Sequence, residues 1–71
     1  MAIQDTRTLV WNERIQFLRR VKKWTQREAA EVCITNQKSF WRWETGRNYP
    51  IKRNQILIAK AFGVRVSDIF C

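Results

Sequence analysis

Thr25-Gln26-Arg27-Glu28-Ala29-Ala30-Glu31-Val32-Cys33-Ile34-Thr35-Asn36-Gln37-Lys38-Ser39-Phe40-Trp41-Arg42-Trp43-Glu44-Thr45-Gly46 contains two helix starts and a helix stop in one short stretch. Thr25 and Glu28 have the spacing of a capping box. The threonine hydroxyl accepts the N–H of Glu28 while the Glu28 carboxylate reaches back to the N–H of Thr25. A helix therefore begins there and runs through Ala29, Ala30 and Cys33, whose small side chains let a neighbouring helix approach closely. Asn36 is a good N-cap for the next helix, Gln37 to Thr45, which Gly46 closes by taking the left-handed conformation. Two short helices are thus joined by a tight turn. On the second, Phe40 and Trp43 are three apart and share an inward face. Gln37, Lys38, Trp41, Arg42 and Thr45 are left on the other side.

Working outward from this pair, Trp11, Ile15, Leu18 and Val21 or Lys22 recur at helical spacing between Leu9 and Lys23. Arg14, Arg19, Arg20 and Lys23 mostly occupy other faces, so a first amphipathic helix precedes the pair. Arg47-Asn48-Tyr49-Pro50 reads as a loop, because Pro50 disfavours helix at the residue before it. A fourth helix follows, roughly Lys52 to Phe62, and Gly63 ends it. Val64 to Phe70 reads as a turn and one last short helix, capped by Ser67 and anchored by Val66, Ile69 and Phe70. Strand signals are lacking. The fold class expected is all-α: a compact bundle of five short helices in a single domain, 9–71, behind a flexible N-terminal arm, 1–8. Trp43, Phe40, Trp24, Ile15, Leu18 and Ile58 are the expected core.

Fourteen Lys and Arg against six Asp and Glu give a net charge of +8 and a pI near 10.6. Long-range attraction and counterion release then favour a polyanionic partner, nucleic acid first and an anionic membrane surface second. The start of the chain has no apolar run of signal-peptide length. Its longest apolar stretch, Ile56-Leu57-Ile58-Ala59, is far too short to span a bilayer, so a cytoplasmic location is expected. Cys33 and Cys71 are far apart, without CxxC spacing and with no histidine in the chain. Neither a zinc site nor a disulfide framework is indicated. Cys33, in an apolar stripe, reads as a buried thiol, and Cys71 as a tail residue able to crosslink two chains in air. With no histidine, glycine-rich phosphate loop or paired carboxylates, no enzymatic activity, cofactor or metal is expected.

The pattern T-Q-x-E-x-A-E, then N-Q-K-S-F-W-R-W-E-T-G-R, then A-K-A-F-G-V-x-V-S-D-I-F resembles the lambda-repressor-like helix-turn-helix family, with its phage repressor and Cro members. The likeness runs from Arg14 to Phe70 in order and without a gap. It implies sequence-specific binding of double-stranded DNA by a small, repressor-like transcriptional regulator. The third helix would lie in the major groove, with Gln37, Lys38, Trp41 and Arg42 as the base-reading positions. Gln pairs with adenine in bidentate fashion, and Arg or Lys with guanine O6 and N7. The family likeness gives Gln26 a phosphate contact and makes Thr25, Thr45, Arg47 and Lys52 further phosphate candidates. It also implies an internal ion pair between Arg19 and Glu44. A weak homodimer on two half-sites is a further expectation, through Val66, Ile69, Phe70 or an exposed Trp. No membrane partner or small-molecule substrate is expected.

The sequence departs from the family pattern at three places. Ile34 stands where the turn usually carries Gly, so either the turn is strained or its geometry differs. Trp41 replaces a small or polar residue, and its roles stay open: covering apolar surface, a dimer contact, or DNA. Lys52 and Gln55 stand where the fourth helix usually has Leu, which leads to the expectation that Ile51, Ile56 or Leu57 packs the core through a rotated helix. For Arg20, Lys22, Lys23 and Lys60 a solvated surface role suffices. Two other classes of function compete. A protein-interaction module, such as an antitoxin or a subunit of a larger complex, would form complexes that survive moderate salt. An RNA-binding or membrane-surface protein would bind single strands or anionic vesicles without preferring a duplex sequence.

Overall fold

The computed structural model describes residues 9–70, so the arm expected at 1–8 and the tail residue Cys71 lie outside the described residues. Five helices follow in order: α1 (Trp11–Lys22), α2 (Gln26–Val32), α3 (Gln37–Glu44), α4 (Lys52–Phe62) and α5 (Val66–Phe70). There is no strand among the described residues. Each start has a local cause. Val10 offers no cap oxygen, yet its N–H donates to the Glu13 carboxylate at 3.0 Å. At α2 both halves of the capping box form: Glu28 N–H to Thr25 Oγ1 at 3.1 Å, and Thr25 N–H to Glu28 Oε1 at 2.8 Å. Asn36 Oδ1 accepts the Ser39 N–H at 2.7 Å and starts α3. Ser67 does not cap α5, which begins one residue earlier. Asp68 does that work instead, accepting the Arg65 N–H at 2.8 Å, and this bond holds its carboxyl below the ordinary aspartate range.

Four helices stop in the same way. Lys23, Ile34, Gly46 and Gly63 all have left-handed backbones, with φ between 60° and 79°. In each case the next residue bonds back across the last turn, as in Trp24 N–H to Arg19 O, Thr35 to Ala30, Arg47 to Arg42 and Val64 to Ala59. This is the Schellman motif, which satisfies carbonyls that a helix end would otherwise leave bare. The turn at Ile34 is therefore the geometry that glycine favours, adopted by a β-branched residue. The residue is 76% exposed, so little burial offsets the left-handed cost of roughly 1–2 kcal/mol. Ile34→Gly is expected to stabilise the fold by about 0.5–1 kcal/mol, net of glycine's greater freedom when unfolded. Thermal unfolding should then rise by a few degrees; a lower midpoint would show that Ile34 contributes packing that outweighs its strain.

The core is formed by Ile15, Ala29, Ala30, Cys33, Phe40, Trp43, Ile58, Phe62 and Ile69. Trp11, Leu18 and Trp24 pack against it while keeping some exposure. Ala29 and Ala30 are essentially fully buried, and their small side chains are what allow α3 to cross α2 closely. The inward stripe of α1 ends at Leu18: Val21 is exposed, and Arg19 turns inward instead.

The α4 helix is not rotated as expected. Gln55 keeps the buried position that Leu would hold, because its Nε2 donates to the Pro50 carbonyl at 3.0 Å and removes the cost of an unpaired amide. Ile51 and Ile56 remain exposed and Leu57 is only half-buried. Ile69 is fully buried, so it is unavailable for the dimer contact considered for it.

Burial among apolar groups pushes the Cys33 thiol up to about 12. The ordinary value, 9.0, applies to the unfolded chain, so this stabilising difference is fully present below pH 9 and is lost as the pH rises towards 12. In a Cys71→Ser variant, Cys33 should not react with a disulfide reagent at pH 8 while folded and should react fully in denaturant. Rapid labelling of the folded protein would contradict this burial.

Candidate nucleic-acid interface

The α3 helix separates its side chains cleanly. Phe40, Trp43 and Glu44 are buried, whereas Gln37, Lys38, Trp41, Arg42 and Thr45 are exposed. The exposed positions recur at one and four residues, so they form one stripe along the helix. Its orientation is held by charge as well as packing. Arg19 Nε donates to Glu44 Oε1 at 2.8 Å and Nη2 donates to Oε2 at 2.9 Å, a two-pronged pair. Arg19 Nη1 also donates to the Trp24 carbonyl at 2.8 Å, and Asn12 Nδ2 donates to the Glu44 carbonyl at 3.3 Å. The Glu44 side chain is 2% exposed and that of Arg19 16%. Hydrogen bonding to Glu44 raises the Arg19 guanidinium above its already high ordinary value, against the opposing effect of burial. No buried side-chain N or O atom among the described residues lacks a partner. Gly46 belongs to this arrangement: a Cβ there would meet the Asn12 amide group at 3.3 Å.

The start of α2 and the first turns of α3 form one concave surface. Gln26, Gln37, Lys38 and Trp41 line a single shallow groove. Thr25 precedes Gln26 as the α2 cap, and its hydroxyl oxygen accepts from Glu28, leaving the hydroxyl proton for an outside acceptor. Thr45 differs. Its hydroxyl donates back to the Trp41 carbonyl at 2.7 Å, with a longer contact to the Arg42 carbonyl at 3.4 Å. A phosphate only accepts, so Thr45 in this rotamer has no proton to offer it. Arg47 lies over the Trp41 ring, 5.1 Å from its centroid. Lys52 is the first residue of α4 and exposed. Lys38, Arg42, Arg47 and Lys52 form no ion pair among the described residues. Lys38 and Lys52 both sit in first turns that contain no acidic residue, where a helix end already repels cations. A bound anion would relieve that repulsion.

Residues of this chain align with a longer protein. The chain is similar to a helix-turn-helix activator. The relative is the HTH-type transcriptional activator BcrR of Enterococcus faecalis, 32% identical over 59 residues. The match takes in 83% of this chain but 29% of the relative, so the chain spans under a third of its length. No family profile matches the chain, and no solved structure matches it. The name describes the relative as a helix-turn-helix protein and does not single out the lambda-repressor type.

Two features of the site escape sequence reasoning. One is the placement of Arg47 over the Trp41 ring, which spans a helix stop and follows no helical period. The other is the tie from Asn12 to the end of α3, between residues 32 apart in the chain. The Arg19–Glu44 pair, equally distant in kind, was accessible only through the family resemblance.

Proposed function

We propose that this chain binds double-stranded DNA in a sequence-specific manner and acts as a small transcriptional regulator. In this reading α3 enters the major groove, Gln37, Lys38 and Arg42 meet base edges, and Gln26 and Thr25 meet a phosphate from the adjoining helix start. The observation that carries it is the exposed stripe of α3. Its long hydrogen-bonding side chains, Gln37, Lys38 and Arg42, make no internal hydrogen bond or ion pair among the described residues, while its buried face is clamped by Arg19. The +8 charge adds attraction to any duplex, and the likeness to an HTH-type transcriptional activator points the same way.

Selection from a random duplex pool at physiological salt tests this directly. An enriched motif, with affinity that falls steeply as salt rises, is the expected result. No enriched motif, together with protein complexes that persist in moderate salt, would move the reading to a protein-interaction module. The repressor-like form of the proposal is occupancy of a promoter. The relative carries the name of an activator, and a reporter with the selected site placed over or upstream of a promoter distinguishes the two. Two copies on half-sites one helical turn apart, roughly 34 Å, complete the proposal, and the stoichiometry on the selected motif checks it.

A further inference from the structure

The contact between Arg47 and Trp41 is held at both ends. Trp41 stands in the middle of α3, whose orientation the Arg19–Glu44 pair sets. Arg47 follows Gly46, and its N–H donates to the Arg42 carbonyl at 2.8 Å, the bond that closes the helix stop. The backbone of Arg47 is therefore fixed against α3 before its side chain is considered. Trp41 is also a wall of the groove that contains Gln26, Gln37 and Lys38. One indole thus joins the groove to the cation beyond it. With Arg47 over its ring, it is 38% exposed.

An arginine on an exposed loop loses rotamer freedom when it binds an anion. Stacking on an aromatic face removes part of that loss in advance and leaves the in-plane N–H fork free for two oxygens of one phosphate. Indole is the best aromatic platform for a cation. Resting on the duplex-binding reading above, we propose that Trp41 is a positioning residue, not a base reader: it presets Arg47 as a bidentate donor to a backbone phosphate flanking the bases that α3 meets.

The test is equilibrium binding to the selected duplex over a salt series. The proteins are wild type, Trp41→Ala, Trp41→Phe, Arg47→Ala and the double Ala variant, and the motif of each is selected again. Each single Ala variant should bind about tenfold more weakly, and the double variant no worse than about tenfold, because the two residues act as one unit. The slope of log affinity against log salt should flatten by about 0.9 in each Ala variant, one phosphate contact, with the motif unchanged. Trp41→Phe, which keeps an aromatic face, should stay within about threefold of wild type. In the free protein, the Arg47 side-chain protons should show an upfield ring-current shift that Trp41→Ala abolishes.

A roughly hundredfold, additive loss in the double variant overturns the proposal. So does a motif altered by Trp41→Ala with its salt slope retained, since Trp41 would then read a base itself. Absence of the ring-current shift also overturns it. Failure of wild type to select any duplex overturns the DNA reading and this inference together. Failure confined to the variant pattern leaves the DNA reading standing.

Discussion

Glu44→Ala is expected to destabilise the domain by about 3 kcal/mol or more, towards the 3–5 kcal/mol typical when half of a buried ion pair is removed. The Glu44 carboxylate is almost fully enclosed and accepts two hydrogen bonds from Arg19. Its removal strands a guanidinium whose other bond, to Trp24, keeps it from swinging out to water. Arg19 retains slight exposure, which places the loss at the lower end of that range. A domain of this size has only about 4–11 kcal/mol of total stability, so the midpoint of thermal unfolding should fall by at least ten degrees or so. Replacing both partners by apolar residues, Arg19→Met with Glu44→Leu, should cost far less than either single change, because no charge is then left unpaired. A loss below about 1 kcal/mol in Glu44→Ala would mean that solvent reaches Arg19 and that packing alone orients α3.

The second large effect is on affinity. Under the proposed function, Gln37→Ala with Arg42→Ala removes two side chains capable of bidentate base contacts, each worth about 1–3 kcal/mol of discrimination. Binding to the selected duplex should weaken by roughly 30-fold to 10⁴-fold, while binding to unrelated duplex DNA should fall by little more than the loss of one positive charge predicts. Gln37 and Arg42 are exposed and make no side-chain bond among the described residues, so the unfolding midpoint should stay where it is. That separates loss of recognition from loss of fold. Equal binding by wild type and the double variant would remove α3 as the reading helix, even if the protein still attached to DNA through charge.

Much of the local structure was legible in the chain, because the signals that start and stop helices act over three or four residues. Thr25 with Glu28 and Asn36 before Gln37 mark two starts, and Gly46 and Gly63 mark two stops. The same local rule misled at Ser67, where Asp68 satisfies the Arg65 N–H from within the helix. It was silent at Lys23, an ordinary residue that takes a left-handed backbone at the end of α1.

What the sequence by itself determined is the set of short helices, the split between a buried and an exposed face of α3, and a charge that favours polyanions. These follow from periodicity, capping and composition, which are properties of neighbours along the chain. Only the tertiary structure decided that Gln55 stays in the core by bonding to Pro50, that Ile51 and Ile56 face solvent, and that Thr45 directs its proton back into α3. It alone placed Arg47 on Trp41 and brought Gln26 to the wall of the α3 groove. Each of these depends on where a polar group finds its partner in three dimensions. Such a choice turns on distances and exposure created by folding, and linear spacing does not encode it.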